Sequence, residues 1–260
     1  MEHLLSTSLT PLAAGSLAGK TALVTGSSRG IGADTVRYFA HAGANVVINF
    51  RNKAARAEKL AAELRDHGSE ALTVGADLTD RESVQAMFAT VESTFGALDI
   101  FVLNASGGME SDMGEDYALQ LNRDAQVHAL EAALPLLGPG SRVVFVTSHQ
   151  AHFIRTNPTM PSYTQVALSK RAGEDALRAM IPALDDAGIE FVVVSGDMIE
   201  GTITATLLER ANPGETEKRR EKAGRLYTVA EFAAEVARAA VEPIPQDHTR
   251  LIGDTTTFAR

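Results

Sequence analysis

Cysteine is absent from the 260 residues, which excludes disulfides, thiolate zinc sites and a cysteine nucleophile. That absence fits a reducing compartment, and the expected location is the cytoplasm. No apolar run approaches the ~20 residues that a membrane-spanning helix needs. Residues 1–16 lack both the basic start and the continuous apolar core of a secretory signal. They read as a loosely held tail or an oligomer contact ahead of a domain over residues 17–260. Positive charge is also short. The formal net charge is -9 and the sequence pI about 5.3, which argues against a general binder of nucleic acid or anionic membrane. No proline- or serine-rich linker divides the chain, and no internal repeat is seen. A chain of this length buries most of its unfolded surface without staples.

What the chain does have is alternation. Short β-branched runs lie at residues 21–25, 45–49, 71–76, 98–105, 142–148 and 190–196, with a weak last one near 249–252. Stretches of helical spacing lie between them, at 31–42, 54–64, 81–95, 116–137, 162–184 and 230–241. The strand runs are nearly continuous in apolar character, as strands covered on both faces are. Alternating β and α segments predict a single-domain α/β fold of Rossmann type, a doubly wound parallel sheet with right-handed crossovers and helices on both faces.

The strongest motif is TGSSRGIG, residues 25–32, between the first strand and the first helix. Gly26 permits the tight turn off the strand. Gly30 lets the backbone approach a pyrophosphate, and Gly32 lets the helix pack close to the sheet. The helix start then offers free N–H groups and a positive dipole end to phosphates. Ser28 and Ile31 complete the loop. At the end of the second strand an NAD site usually carries an acid for the ribose 2′-hydroxyl. Here the chain reads Asn49-Phe50-Arg51-Asn52, with no acid. Arg51 at the strand tip and Arg29 in the glycine loop suit the 2′-phosphate of NADP(H), which guanidinium groups bond with charge assistance.

On these residues the chain resembles the short-chain dehydrogenase/reductase family over nearly all of residues 17–252. TGSSRGIG matches the glycine motif of that family. Asp77, with Leu78 beside it, matches the acid that bonds the adenine amino group. Asn104 and Ala105 match part of the fourth-strand motif, where the family has Asn-Asn-Ala-Gly and this chain has Leu103-Asn104-Ala105-Ser106. Asn122 matches the asparagine that holds a relay water behind the catalytic lysine. Ser148 matches the serine that bonds the substrate oxygen, and Ser169-Lys170 matches the serine-lysine pair, so Lys170 takes the place of the family lysine. Thr202 matches the residue that touches the nicotinamide carboxamide or pyrophosphate, and residues 197–225 correspond to a lid over the substrate. The resemblance implies a homodimer or homotetramer, through the helices at 116–137 and 162–184.

The match fails at one decisive point. The family places a tyrosine four residues before its lysine, on one helical face, where the ammonium lowers the phenol pKa for general acid–base work. Val166 stands there, and the nearby tyrosine is Tyr163, seven residues before Lys170. In a regular helix that spacing amounts to ~10.5 Å of rise. Three readings follow. Tyr163 lies in a loop before the helix and folds back into the usual place, which its fifteen-residue spacing from Ser148 favours. Alternatively, Lys170 holds the cofactor while His149 or His152 supplies the proton. Or the chain binds NADP(H) without hydride chemistry. The two histidines have no evident third ligand, so no metal is expected. The loop between Asn104 and Asn122 is shorter than the family norm and acidic, either solvated or facing a cationic substrate. The charged run at 215–225 reads as a solvated helix or loop.

The leading expectation is an NADP(H)-dependent oxidoreductase moving a hydride between nicotinamide and a carbonyl/alcohol substrate. Tyr163 is its proton donor, Ser148 polarises the oxygen and Lys170 holds the ribose. A non-catalytic NADP(H)-binding redox sensor and a Rossmann enzyme without net redox, such as an epimerase, are the alternatives.

Overall fold

The computed structural model describes residues 10–109, 114 and 116–258. In chain order the elements are β1 (Thr21–Val24), α1 (Gly30–His41), β2 (Asn45–Phe50), α2 (Ala54–Asp66), β3 (Ala71–Gly75), α3 (Arg81–Phe95) and β4 (Leu98–Leu103). A short α4 (Tyr117–Leu119) runs through a π-turn (Gln120–Asp124) into α5 (Ala125–Ala133). Then come β5 (Leu137–Ser148), α6 (His149–His152), α7 (Pro161–Arg178), α8 (Ile181–Asp186), β6 (Glu190–Gly196) and β7 (Ile199–Glu200). The chain closes with α9 (Ile203–Ala211), α10 (Glu215–Ala223), β8 (Tyr227–Thr228), α11 (Val229–Ala239) and β9 (Thr249–Ile252).

Seven strands form one sheet in the order β3-β2-β1-β4-β5-β6-β9, and every neighbouring pair is parallel. Side chains alternate between the two faces, and both faces are dry. Val24, Ile48, Val102, Val144 and Val194 point into one core with α1 and α11. Leu23, Val47, Phe101, Val143 and Val193 point into the other, with α3 and α5. Burial on both sides is why these strands read as unbroken apolar runs rather than as alternation. The chain reverses its winding direction between β1 and β4. A doubly wound sheet opens its ligand crevice there, outside the carboxyl ends of the strands.

The described part of the N-terminal segment is not loose. Leu12 and Leu17 are buried in the first core, and the Leu17 amide donates to the Ala42 carbonyl at 2.8 Å. The long helix expected over residues 162–184 is two helices. It breaks after Arg178, and α8 carries a proline in its first turn, where the missing N–H costs nothing. The stretch expected as one helix over 116–137 is interrupted by the π-turn and ends at Ala133, and Leu137 already belongs to β5. A small parallel pair joins β7 to β8, with Ile199 opposite Tyr227 and Glu200 opposite Thr228. Glu110, Asp112 and Glu115 of the acidic loop lie outside the described residues, so its expected contact with solvent or a cation is not addressed.

Candidate active site

A cleft of about 580 Å³ runs along the carboxyl ends of the strands. Its floor at β1 is the glycine loop. Gly26 and Gly30 have φ of +63° and +58°, backbone conformations that other residues adopt at a cost. A Cβ on Gly32 would stand 2.7 Å from Asn104 Nδ2 and 2.8 Å from Ser27 Cα, so only glycine lets α1 start this close. Asn104 donates from Nδ2 to the Thr25 carbonyl at 2.8 Å, and the Asn104 and Ala105 amides both donate to Thr25 Oγ1. Asn49, which sequence reasoning passed over as a strand end, is buried and accepts from the Gly26 amide at 3.0 Å. The loop is thus braced from both neighbouring strands.

A helix start normally has its free amides covered by a side chain. In α3, Asp80 accepts from the Glu82 amide, and α11 has a full capping box. By contrast, α1 has no side-chain cap at Arg29 and no acid in its first turn, and Ser28, Arg29, Gly30, Ile31 and Gly32 all line the cleft. Uncovered amides at an open helix start are what a pyrophosphate needs. Arg29, Arg51, Asn52 and Lys53 also line the cleft. Arg51 donates from Nη1 to the Tyr117 hydroxyl, and its guanidinium sits 5.8 Å from the Tyr117 ring centroid. Tyr117 is a cleft residue that sequence reasoning missed; its one signal was an aromatic at the start of a helical stretch. Asp77 and Leu78 line the far wall, with Asp77 Oδ1 held by the Thr79 amide and hydroxyl. The residues present therefore fit a phosphorylated dinucleotide.

At the other end Ser148 closes β5 and caps α6, accepting from the Ala151 amide. The Tyr163 hydroxyl is 3.4 Å from Ser148 Oγ. The two meet without the expected loop. Helix α7 begins at Pro161, so Tyr163 sits in its first turn and does not fold back into the position of Val166. The phenol reaches the serine from one turn nearer the helix start, because the residue at the family position, Val166, is packed into an apolar cluster with Tyr163, Met198, Ala205 and Leu208. Lys170, ~10.5 Å further along the helix axis, is buried and pushed down to about 8 by that burial. Burial pushes the Tyr163 phenol up, opposed by its bond to Ser148.

Asn122 lies in the π-turn, behind Lys170. Its amide donates from Nδ2 to the Gly107 carbonyl and to Ser169 Oγ, both at 2.9 Å, and its Oδ1 accepts from the Gly107 amide. The two histidines weighed as proton donors face away from the cleft. His149 is fully buried, with Nδ1 2.8 Å from Ser195 Oγ. Burial, then the charges of His152 and Arg219, push it down to about 4. His152 Nδ1 lies 2.8 Å from Glu174 Oε1. Thr202 lines the cleft, but its hydroxyl caps α9, donating to the Ile199 carbonyl and accepting from the Ala205 amide.

The run expected to be solvated contains a buried residue. Arg219 of α10 reaches Asp197 at the end of β6, with Nε 2.8 Å from both carboxylate oxygens. It also bonds Thr257 and Asp254 and lies 4.9 Å from the Phe258 ring centroid. The lid segment is thereby tied to the sheet and to the C-terminal stretch. Among the described residues no group of side chains suits a metal ion, and no helix is long and apolar enough to cross a membrane.

Residues 20–212 match the family model described as short chain dehydrogenase. A short chain dehydrogenase/reductase of Aspergillus novofumigatus, nsrJ, is 34% identical over 75% of this chain and 73% of its own. An NADPH-dependent aldehyde reductase-like protein of Arabidopsis thaliana is 33% identical over 66% of this chain and 70% of its own. Among solved structures, a short chain dehydrogenase of Burkholderia cenocepacia in complex with NADP superposes with a TM-score of 0.76. It is 27% identical, covering 94% of this chain and all of that one.

Proposed function

The chain belongs to the short-chain dehydrogenase/reductase family, and from that premise we propose that it is an NADP(H)-dependent oxidoreductase acting on a carbonyl/alcohol pair. When bound, NADP(H) supplies or accepts the hydride. The uncapped amides of α1 hold its pyrophosphate, Arg29 and Arg51 hold the 2′-phosphate, and Asp77 meets the adenine. Lys170 donates to the ribose hydroxyls. Ser148 Oγ donates to the substrate oxygen and polarises it, and the Tyr163 hydroxyl gives that oxygen its proton during reduction. Asn122 acts through Ser169, fixing the turn of α7 that carries Lys170. Residues 197–225 form the lid.

The observation that carries this reading is the pair of hydroxyls, Ser148 and Tyr163, 3.4 Å apart in the same cleft as an uncovered helix start. A second reading, NADP(H) binding without turnover, is favoured by Val166 at the family tyrosine position and by the burial that pushes the Tyr163 phenol up. The two separate in one assay, in which NADPH and NADH are titrated into the protein and their oxidation is followed with ketones, quinones and imines. Preferred binding of NADPH with turnover of a carbonyl supports the enzyme, and tight NADPH binding without turnover across the panel supports the second reading. The cytoplasm as compartment and a homodimer or homotetramer as assembly belong to the same proposal. They rest on composition and on the exposed Leu168 of α7.

A further inference from the structure

We infer that the substrate is an uncharged, largely apolar carbonyl compound carrying one further neutral polar group; this rests on the hydride-transfer reading above. The charged side chains of the cleft are unevenly spread. Arg29, Arg51, Lys53 and Asp77 lie at the end formed by the glycine loop, β2 and β3. At the Ser148 end the charged lining residues among the described residues are Lys170 and Asp197. Lys170 is assigned to the ribose.

Asp197 presents no usable charge. Its side chain is 3% exposed, Arg219 Nη2 stands 2.7 Å from Oδ2, Arg219 Nε meets both oxygens, and the Met198 amide donates to Oδ1. A buried carboxylate whose oxygens already accept this many bonds has little hydrogen-bonding capacity left for a cationic ligand.

The wall at this end includes Gln150, Met198, Ile203, Thr204, Ala205 and Leu208. Met198, Ala205 and Leu208 form one apolar cluster with the Tyr163 ring, and Met109, Ile154 and Met160 pack against it. Methionines give such a wall the freedom to fit irregular apolar shapes. An ammonium or carboxylate brought against Met198, Ala205 and Leu208 loses water and gains no opposite charge from them. An apolar skeleton gains the burial instead. Gln150 and Thr204 are the polar members of this group, and Gln150 is the buried one. It lines the cleft, is 9% exposed, and its side chain makes no hydrogen bond among the described residues. Its amide both donates and accepts, which suits a hydroxyl or second keto group on the substrate.

The test uses the full chain saturated with NADPH and three ketones on one bicyclic skeleton: 1-tetralone bearing a hydroxyl, a carboxylate or an ammonium group. Binding is measured by calorimetry and turnover by NADPH oxidation. The hydroxylated ketone is expected to bind at least tenfold tighter than either charged one. Ile203 is an exposed lid residue that lines the cleft, and Ile203→Arg is expected to shift the neutral-to-carboxylate ratio at least tenfold toward the carboxylate, with NADPH affinity unchanged. Equal or tighter binding of a charged ketone, no binding of any of the three at millimolar concentration, or an unmoved ratio in Ile203→Arg overturns the inference. Selective binding of the neutral ketone without NADPH oxidation leaves the inference standing and counts against the hydride-transfer reading.

Discussion

Replacing Gly173 with alanine tests how α7 is seated. A methyl at Gly173 would stand 1.9 Å from the Asn122 carbonyl oxygen, 3.0 Å from its carbonyl carbon and 3.3 Å from Arg123 Cα. Ordinary contact between such a carbon and oxygen begins near ~3.3 Å, so α7 and the π-turn must separate by roughly 1.4 Å. No rotamer change relieves this, because the atoms met are backbone. Helix propensity alone favours alanine over glycine by ~1 kcal/mol. Overpacking costs ~1–3 kcal/mol, and a backbone collision belongs at or above the top of that range. The expected net loss is about 2 kcal/mol, or roughly a 4–8 °C fall in Tm for a chain of this size. The displacement also passes through Asn122 and Ser169 to Lys170, so NADPH affinity is expected to fall with it. Urea unfolding and an NADPH titration of Gly173→Ala measure both. Stability at or above that of the wild type, with unchanged NADPH affinity, would refute the seating described.

Three further outcomes are expected. Arg51→Ala removes a charge-assisted contact worth ~1.5–3 kcal/mol, so NADPH should bind roughly ten- to hundredfold more weakly while NADH binding stays the same; equal losses for both would remove Arg51 from the 2′-phosphate site. His149 is held near 4 by burial against an ordinary value of 6.5. The unfolded chain therefore takes up this proton first, and the contribution is fully present above pH 6.5 and lost as pH falls toward 4, about 3 kcal/mol in all. Urea midpoints of His149→Gln should decline less than those of the wild type across that window, and parallel decline would show the group plays no such part. Arg219→Met leaves the buried Asp197 carboxylate without its main partner and should cost ~3–5 kcal/mol, much of it regained in Asp197→Asn/Arg219→Met; a single variant within 1 kcal/mol of the wild type would contradict a buried pair.

The sheet was legible because both of its faces are dry. Runs such as RVVFVTS carry their burial in composition, and glycines placed after the first strand announce a phosphate turn. The apolar spacing of residues 162–184 runs through a break that Pro182 marks, since a proline cannot continue the hydrogen bonding of the helix before it. Local pattern fails where tertiary contacts decide. The π-turn at Asn122 follows from the close approach of Gly173, a residue far away in sequence. Asp197 and Arg219 are 22 residues apart, on a strand end and in a run that looks wholly solvated, and no periodicity links them. The position of Tyr163 was half legible. Its spacing from Ser148 pointed to two hydroxyls that the fold brings to 3.4 Å from each other, but the loop invoked to bring them together is a regular helical turn, and Val166 is packed in the apolar cluster.

The central claim, that Tyr163 gives the substrate oxygen its proton from this displaced position, is tested most directly by single-turnover oxidation of bound NADPH in Tyr163→Phe with a ketone that the wild type reduces. The account predicts a rate lower by roughly a hundred- to ten-thousandfold, with the NADPH dissociation constant unchanged. A rate within about threefold of the wild type, judged against that same range, would contradict it and assign the proton to another group.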